Sequence, residues 1–409
     1  MVVRLEEDLE ELERFLNRLP KPSEKQMQYL DVISRYSFYL GVFIELTIVI
    51  LEKSEYIIQY EGLWFRLTFV LFGISMITTK HSIRQWSCFL AAALLGCNSY
   101  LHTGRNEILR AVVFIWACYG KDMKKVLKFT FWYTLAGCVV IFLLSVLGIY
   151  GNIAQTAVYR AEEAWTIGVE ETRFCFGMGH PNSFHCMVLV LTWIGIYCYH
   201  EKIKWYGYLV IGILHIVLYS FTVSRTGLLM SVGSLLIFVI INYWKKIQGQ
   251  KWPYLLGIIV VIGMVGFSVF MAKYSVHHPL LKQLDSVLSG RITNLYYDSI
   301  NHEGMLNTWS LWSVERNNKY FDLGIIRMFY WYGIVPAVVY FAAQCRLIWC
   351  GFKRKDFMLL AMVVIITIYS VFEAHFISDY MGRNYILFFF GMYLADMLGE
   401  KNESKLMIE

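Results

Sequence analysis

The sequence predicts an all-α, polytopic integral membrane protein with about twelve transmembrane helices and a large extracytoplasmic loop between the ninth and the tenth. Three observations carry that prediction. Hydrophobic residues make up 57% of the chain and charged ones only 17%, a balance outside the range of soluble globular proteins. Mean hydropathy is +0.48. Apolar runs long enough, at about 1.5 Å per residue, to cross about 30 Å of hydrocarbon recur along the whole length.

The segment 1–30 comes first and contains "LEEDLEELERFLNRL", with Leu5, Leu9, Leu12, Leu16 and Leu19 at three- and four-residue steps. This spacing predicts a cytoplasmic amphipathic helix, broken by "PKPSEK". The membrane domain, 31–400, holds apolar runs near 36–52, 63–79, 84–101, 105–120, 127–149, 182–199, 205–223, 226–243, 253–272, 326–349, 357–372 and 384–398. Arg110 interrupts the fourth. Residues 401–409 form a short cytoplasmic tail. The charged first thirty residues, and the lack of an Ala-x-Ala site after the first apolar run, lead us to expect no cleaved signal.

Orientation follows from basic residues in short connections, which favour the cytoplasm. "KHSIR" (80–84), "KDMKKVLK" (121–128), "HEKIK" (200–204), "KKIQGQK" (245–251) and "RLIWCGFKRK" (346–355) fall at alternate connections, which puts both termini inside. The medium loop 150–181 and the large loop 273–325 then face outward. Lysine dominates the inner connections, whereas the outer ones carry Arg105, Arg160, Arg173, Arg225, Arg291, Arg316 and Arg383 against Lys53, Lys273, Lys282 and Lys319. Arginine's planar fork binds phosphate and carboxylate in bidentate fashion and stays charged in a partly dry site. The outward set therefore points to an anionic ligand.

Helix polarity adds to this. "RFCFGMGHPNSFH" (173–185) opens the sixth span with Pro181 in the first turn, flanked by His180 and Asn182, and "SRTGLL" opens the eighth with Ser224 as a cap beside Arg225. Both helices begin outside, so their positive dipole ends face the same compartment as the arginines. The large loop contributes "LSGRI" (288–292), "NHEG" (301–304), "VERNN" (314–318) and "YFDLGIIRMFYWYGI" (320–334), and "EAHFISDYMGR" (373–383) adds Glu373, His375, Asp379 and Arg383. Trp309, Trp312, Tyr296 and Tyr297 are candidates for stacking on sugars. Most of the nine cysteines read as small buried hydrophobes, the adjacent histidines of "YSVHHP" (274–279), without nearby carboxylates, are a weak metal signal, and no Gly-x-x-x-x-Gly-Lys loop occurs.

In the order and placement of these motifs, "R-x-x-FGMGHPN", "SRTGLL", "LSGR" and "FDLGIIRMFYWYGI" within a twelve-span plan, the chain from 36 to 398 resembles the bacterial Wzy-type polysaccharide polymerases and the related O-antigen ligases. The resemblance implies a multi-pass enzyme of the bacterial cytoplasmic membrane, without cofactor or nucleic acid, that polymerises undecaprenyl-diphosphate-linked oligosaccharide repeats on the outer side. A flippase and a chain-length regulator of the same pathway are its implied partners. Arg173, Arg225 and Arg291 match the family positions thought to hold the diphosphate, and His302 is nearest to the ligase histidine; His180, His302 and Asp322 are candidates for activating the acceptor hydroxyl. Arg105, Arg160, Asn182, Ser224, Arg316, His375 and Arg383 are expected to bind substrate. Asp322 departs from the polymerase pattern, being followed by Leu323 rather than a small polar residue. A ligase transferring finished polymer to another acceptor shares nearly all of these features, and a lipid-linked oligosaccharide flippase is the other alternative.

Overall fold

A computed structural model describes residues 23–159, 169–244, 246, 249–288, 290–312, 314, 317 and 319–400. The amphipathic segment before residue 23, Arg160, Arg316 and the tail 401–409 lie outside them. The chain runs through α1 (Glu24–Glu52), α2 (Glu61–Thr78), α3 (Ile83–Thr103), α4 (Glu107–Cys118) and α5 (Met123–Val146), then a hairpin of β1 (Ala154–Tyr159) and β2 (Val169–Phe174). It continues with α6 (Pro181–Tyr199), α7 (Trp205–Thr222), α8 (Arg225–Tyr243), α9 (Trp252–Tyr274), α10 (Pro279–Val287) and α11 (Arg291–Tyr297). The last elements are α12 (Gly324–Tyr332), α13 (Ile334–Arg354), α14 (Phe357–Phe372), α15 (Tyr385–Met392) and α16 (Leu394–Met397).

Among the described residues, eight helices are long and apolar enough to cross a membrane, namely α1, α2, α5, α6, α7, α8, α9 and α13, while α14 is a shorter apolar helix. Large apolar side chains stand exposed along most of them. On α7, Leu209, Val210, Ile213 and Ile216 are all more than half exposed, a surface that only hydrocarbon would solvate. This is a helical membrane protein.

The structure adds two features that hydropathy does not show. The medium loop contains the antiparallel hairpin, with Ala154 opposite Phe174 and Gln155 opposite Arg173; Thr156 and Thr172 join hydroxyls across it at 2.9 Å. The apolar run 326–349 is two helices. Gly333, at φ 92° and ψ 166°, separates α12 from α13, in a region of backbone space that only glycine enters readily. The freed N–H groups of Ile334 and Val335 donate to the carbonyls of Ser310 and Leu311, at 2.9 and 3.1 Å, so the large loop satisfies the break. Every residue of α12 is buried.

The chain divides into two compact units. The first comprises residues up to Glu45, Tyr60–Met123 and the segment from Leu387 onward. Phe72 meets Phe114 edge-on at 4.9 Å, and Phe114 meets Phe388 at 4.8 Å. Within this unit Arg110 Nη2 lies 3.2 Å from Glu45 Oε1, Thr68 donates its hydroxyl to the same oxygen at 2.8 Å, and the guanidinium stands 3.8 Å above the Phe65 ring. Ser82 caps α3, and the Glu400 carboxylate accepts from Ser82 and from Gln85 Nε2.

The second unit comprises Leu46–Gln59 and Lys124–Ile386. Val49, Ile50, Ile141, Met178, Phe184, Met187 and Leu191 form part of its apolar core. One end of this unit gathers the start of α6, the start of α12, the end of α1 and the residues after α14, and there a polar cavity opens.

Candidate functional site

The motif Arg173–His185 folds as a tight corner between β2 and α6. Phe176, Gly177 and Gly179 take positive φ values of 46°, 77° and 62°, and Gly177 N donates to Asn152 O at 2.8 Å, tying the corner to the base of the hairpin. A Cβ on Gly177 would fall 3.0 Å from both Ile141 and Ser145, so the glycine also allows close approach to α5. Pro181 then occupies the first turn of α6, and His180 caps it by accepting the Asn182 N–H on Nδ1 at 3.1 Å.

The "SRTG" motif contributes through residues beside the arginine. Ser224 is the cap of α8, accepting from Gly227 N at 3.4 Å. Gly227 has no room for a side chain, because an added Cβ would stand 2.7 Å from the His185 ring. His185 is fully buried; its Nδ1 lies 3.1 Å from the Thr222 hydroxyl, and its Nε2 lies 3.3 Å from His215 Nδ1. The two motifs are thus packed on one another. Thr226 accepts from Arg291 Nη1 at 3.1 Å, while Arg225 itself is exposed.

Arg291 is placed by its own loop. Gly290 takes φ 80° ahead of α11, and Asp285, nearly fully buried, accepts from the N–H groups of Ile292 and Thr293 at 2.7 and 3.1 Å. The guanidinium is shared three ways. Its Nε donates to Asp322 at 3.1 Å, Nη1 to Thr226 and Nη2 to Glu373. Burial by itself would disfavour the charge, but the Glu373 and Asp322 carboxylates outweigh it and hold the Arg291 pKa above its usual value.

The cavity has a volume of about 470 Å³. Of the expected catalytic and substrate-binding residues, His180, Asn182, Arg291, Asp322, His375 and Arg383 line it. Glu52, Lys53, Cys186, Tyr320, Arg327, Trp331, Glu373 and Asp379 are also in its wall. Lys53 lies 3.6 Å from Glu52, and Arg383 is ion-paired to Glu52. Asp322 is the accessible carboxylate of the Arg291 cluster, with 43% of its side chain exposed against 18% for Glu373. Burial, and then the charges of Lys53 and Arg327, press the His375 pKa well below its usual value, which keeps that ring neutral.

The other expected residues lie elsewhere. Arg173 is buried and paired to Glu171 through Nε and Nη2, at 2.9 and 2.6 Å; its charge still reaches His180. Arg105 belongs to the first unit, 3.8 Å from Glu107. His302, at φ 49°, places Nδ1 2.7 Å from the Tyr296 carbonyl and stacks on the Tyr296 ring at 3.9 Å. Trp309 is stacked on Phe329 at 4.6 Å, which leaves Tyr297 as the most exposed of the four aromatic candidates, at 66%. Among the described residues, no group of three or more His, Cys, Asp or Glu side chains is arranged to hold a metal ion.

Arg327 is the lining cation that the sequence reading passed over. It stands inside an apolar run, where charge is read as an interruption, and the bend at Gly333 that takes α12 out of a continuous span is invisible to hydropathy. Comparison with protein-family models, with curated proteins and with solved structures returns no match to this chain.

His180 carries a testable consequence. Because Nδ1 accepts the cap bond, the neutral ring bears its proton on Nε2, and it meets the cavity as a donor, not as a base. Partial burial, then the Arg173 charge, lowers its pKa. A lowered histidine pKa contributes stability above the unfolded value of about 6.5, and that stability is lost as pH falls towards the folded value. His180→Asn keeps a cap acceptor without titrating, so its thermal unfolding in nanodiscs should lose less between pH 7 and pH 5 than the wild type does. Identical acid slopes would remove His180 from this role. The side chain is solvent-exposed, so screening keeps the difference small.

Proposed function

We propose that this protein is a membrane-embedded glycosyltransferase that polymerises polyprenyl-diphosphate-linked oligosaccharide repeats on the outer face of the bacterial cytoplasmic membrane. The observation that carries the reading is the polar cavity at one end of the second unit, where Lys53, Arg291, Arg327 and Arg383 share the wall with Asp322. In this reading α3, α4, α14 and α15 with α16 complete twelve spans, both termini are cytoplasmic, and the cavity faces outward. The alternation of lysine-rich connections supports that orientation.

The acceptor sugar hydroxyl attacks the anomeric carbon of the donor. The bond between that carbon and the phosphate oxygen breaks, and the polyprenyl diphosphate leaves with the electron pair. Fixed guanidinium groups and the amino-terminal dipole of α6 oppose the charge that grows on the leaving oxygen, where a low-dielectric wall makes them effective. The hydroxyl proton passes to Asp322, whose carboxylate Arg291 aims into the cavity.

Purified protein reconstituted with lipid-diphosphate-linked repeats should produce a ladder of saccharide lengths. Asp322→Asn should reduce the rate by about 10²- to 10⁴-fold, the usual contribution of a positioned base. Movement of labelled lipid across liposomes, with no new glycosidic bond, would instead identify a flippase.

A further inference from the structure

Arg327 differs from every other arginine in the cavity wall in what holds it. It is 1% exposed, on a helix with no exposed residue. Its Nη2 donates to the backbone carbonyls of Ala374, at 2.9 Å, and Ile377. The guanidinium carbon lies 4.6 Å from the centre of the Tyr320 ring and 4.4 Å from that of Trp331. Nε and Nη1 have no partner among the described residues. Two N–H donors of a buried cation are thereby left unused, a costly arrangement unless something meets it.

The same wall holds two further unused nitrogens. His375 Nδ1 and Arg383 Nε are also buried without partners, and both residues line the cavity with Arg327. Arg291, in contrast, spends all three nitrogens on Thr226, Asp322 and Glu373. We propose that Arg327, with His375 and Arg383, forms an oxyanion-binding subsite of the cavity, and that Arg291 is a positioning residue for Asp322. Nε and Nη1 lie on different edges of the guanidinium, so each offers a separate charged donor to an oxygen of a phosphate, a diphosphate or a carboxylate. Tyr320, 65% exposed, is the more accessible of the two rings against the guanidinium, and its displacement would open the subsite to the cavity. The oxyanion is supplied either by the diphosphate of the lipid carrier, an assignment that rests on the glycosyl-transfer reading, or by the carboxylate of an acidic sugar.

The test uses the full chain in nanodiscs, titrated calorimetrically with inorganic pyrophosphate, a polyprenyl diphosphate and glucuronate. The wild type should bind at least one of them, and Arg327→Lys, which keeps the charge and removes the fork, should weaken that binding at least about tenfold. Arg35→Gln, on an exposed part of α1, should leave it unchanged. If Arg327→Lys does not fold, Tyr320→Ala serves in its place and should speed association. Tight binding of the polyprenyl diphosphate with weak binding of glucuronate assigns the subsite to the carrier, and the reverse assigns it to an acidic sugar. No binding of any probe, or wild-type affinity in Arg327→Lys, overturns the subsite. Probe binding that depends on Arg327 in a protein that makes no polymer keeps the subsite and defeats the transfer reading; polymer formation undiminished by Arg327→Lys does the opposite.

Discussion

Arg291→Ala is expected to destabilise the protein by about 3–5 kcal/mol and to abolish polymer formation. Its side chain is 8% exposed and holds two carboxylates at once. Removing it leaves the largely enclosed Glu373 carboxylate without its ion-pair partner, the circumstance in which breaking an ion pair costs most. Burial already raises the Glu373 pKa against the pull of Arg291, so removing the arginine should raise it further. Arg291→Lys should recover part of the stability but little of the activity, since one ammonium cannot span Thr226, Asp322 and Glu373 together. The double variant Arg291→Met/Glu373→Leu separates the two effects. It removes the charge and its partner together, so stability should return while Asp322 loses its orientation. Thermal unfolding in nanodiscs and the saccharide ladder read the two quantities independently. A wild-type melting temperature in Arg291→Ala would show that the cluster is dispensable for the fold, and a full ladder would dismiss Arg291 from the site.

Hydropathy finds helices because a membrane helix must be apolar for about twenty residues whatever it packs against. Each of the twelve expected runs therefore overlaps a helix, although α1 begins twelve residues before its run, at Glu24, and α4 and α15 are short. Backbone events are not visible in the same way. The break at Gly333 depends on the Ser310 and Leu311 carbonyls being in place, a contact between segments far apart in sequence. The hairpin joins strands whose polar and apolar residues do not alternate strongly.

The arginine bias points to some residues that the structure brings to the cavity, Arg291 and Arg383, and to others, Arg173 and Arg225, that do not line it. A basic residue in a motif says nothing about whether an acid two positions away already occupies it, as Glu171 does for Arg173. "SRTG" drew attention to Arg225, but the residues with structural consequences are Thr226, which holds Arg291, and Gly227, which makes room for His185. "LSGR" marks Arg291, which the structure places in the cavity wall, and the glycine and Asp285 fix it locally, within a few residues that sequence does reveal. Arg327, and the pairing of Glu373 with Arg291, become legible only when α11, α12, α14 and the loop after it are brought together.

The first unit offers a second large effect, in an ion pair of its own. Glu45 and Arg110 are each awkward for a membrane span when taken singly, and together they explain one another. They are 1% and 4% exposed and lie 3.2 Å apart, with Thr68 donating to the shared carboxylate oxygen. Arg110→Ala should cost about 3–5 kcal/mol, because it leaves the Glu45 charge in an apolar surrounding with only a hydroxyl for company. Glu45→Gln should cost less than Glu45→Ala, since the amide oxygen still accepts from Thr68 and Arg110. Replacing both members, as Glu45→Leu/Arg110→Met, should restore most of the stability, because the desolvation of two charges is removed along with their attraction. Melting temperatures of the single and double variants in nanodiscs complete the cycle. Additive losses would mean that the two side chains act separately, and the pairing would then not be what admits α4 to the bundle. Equal losses in Glu45→Gln and Glu45→Ala would remove the hydrogen bond from Thr68 from the account and leave the charge pair alone.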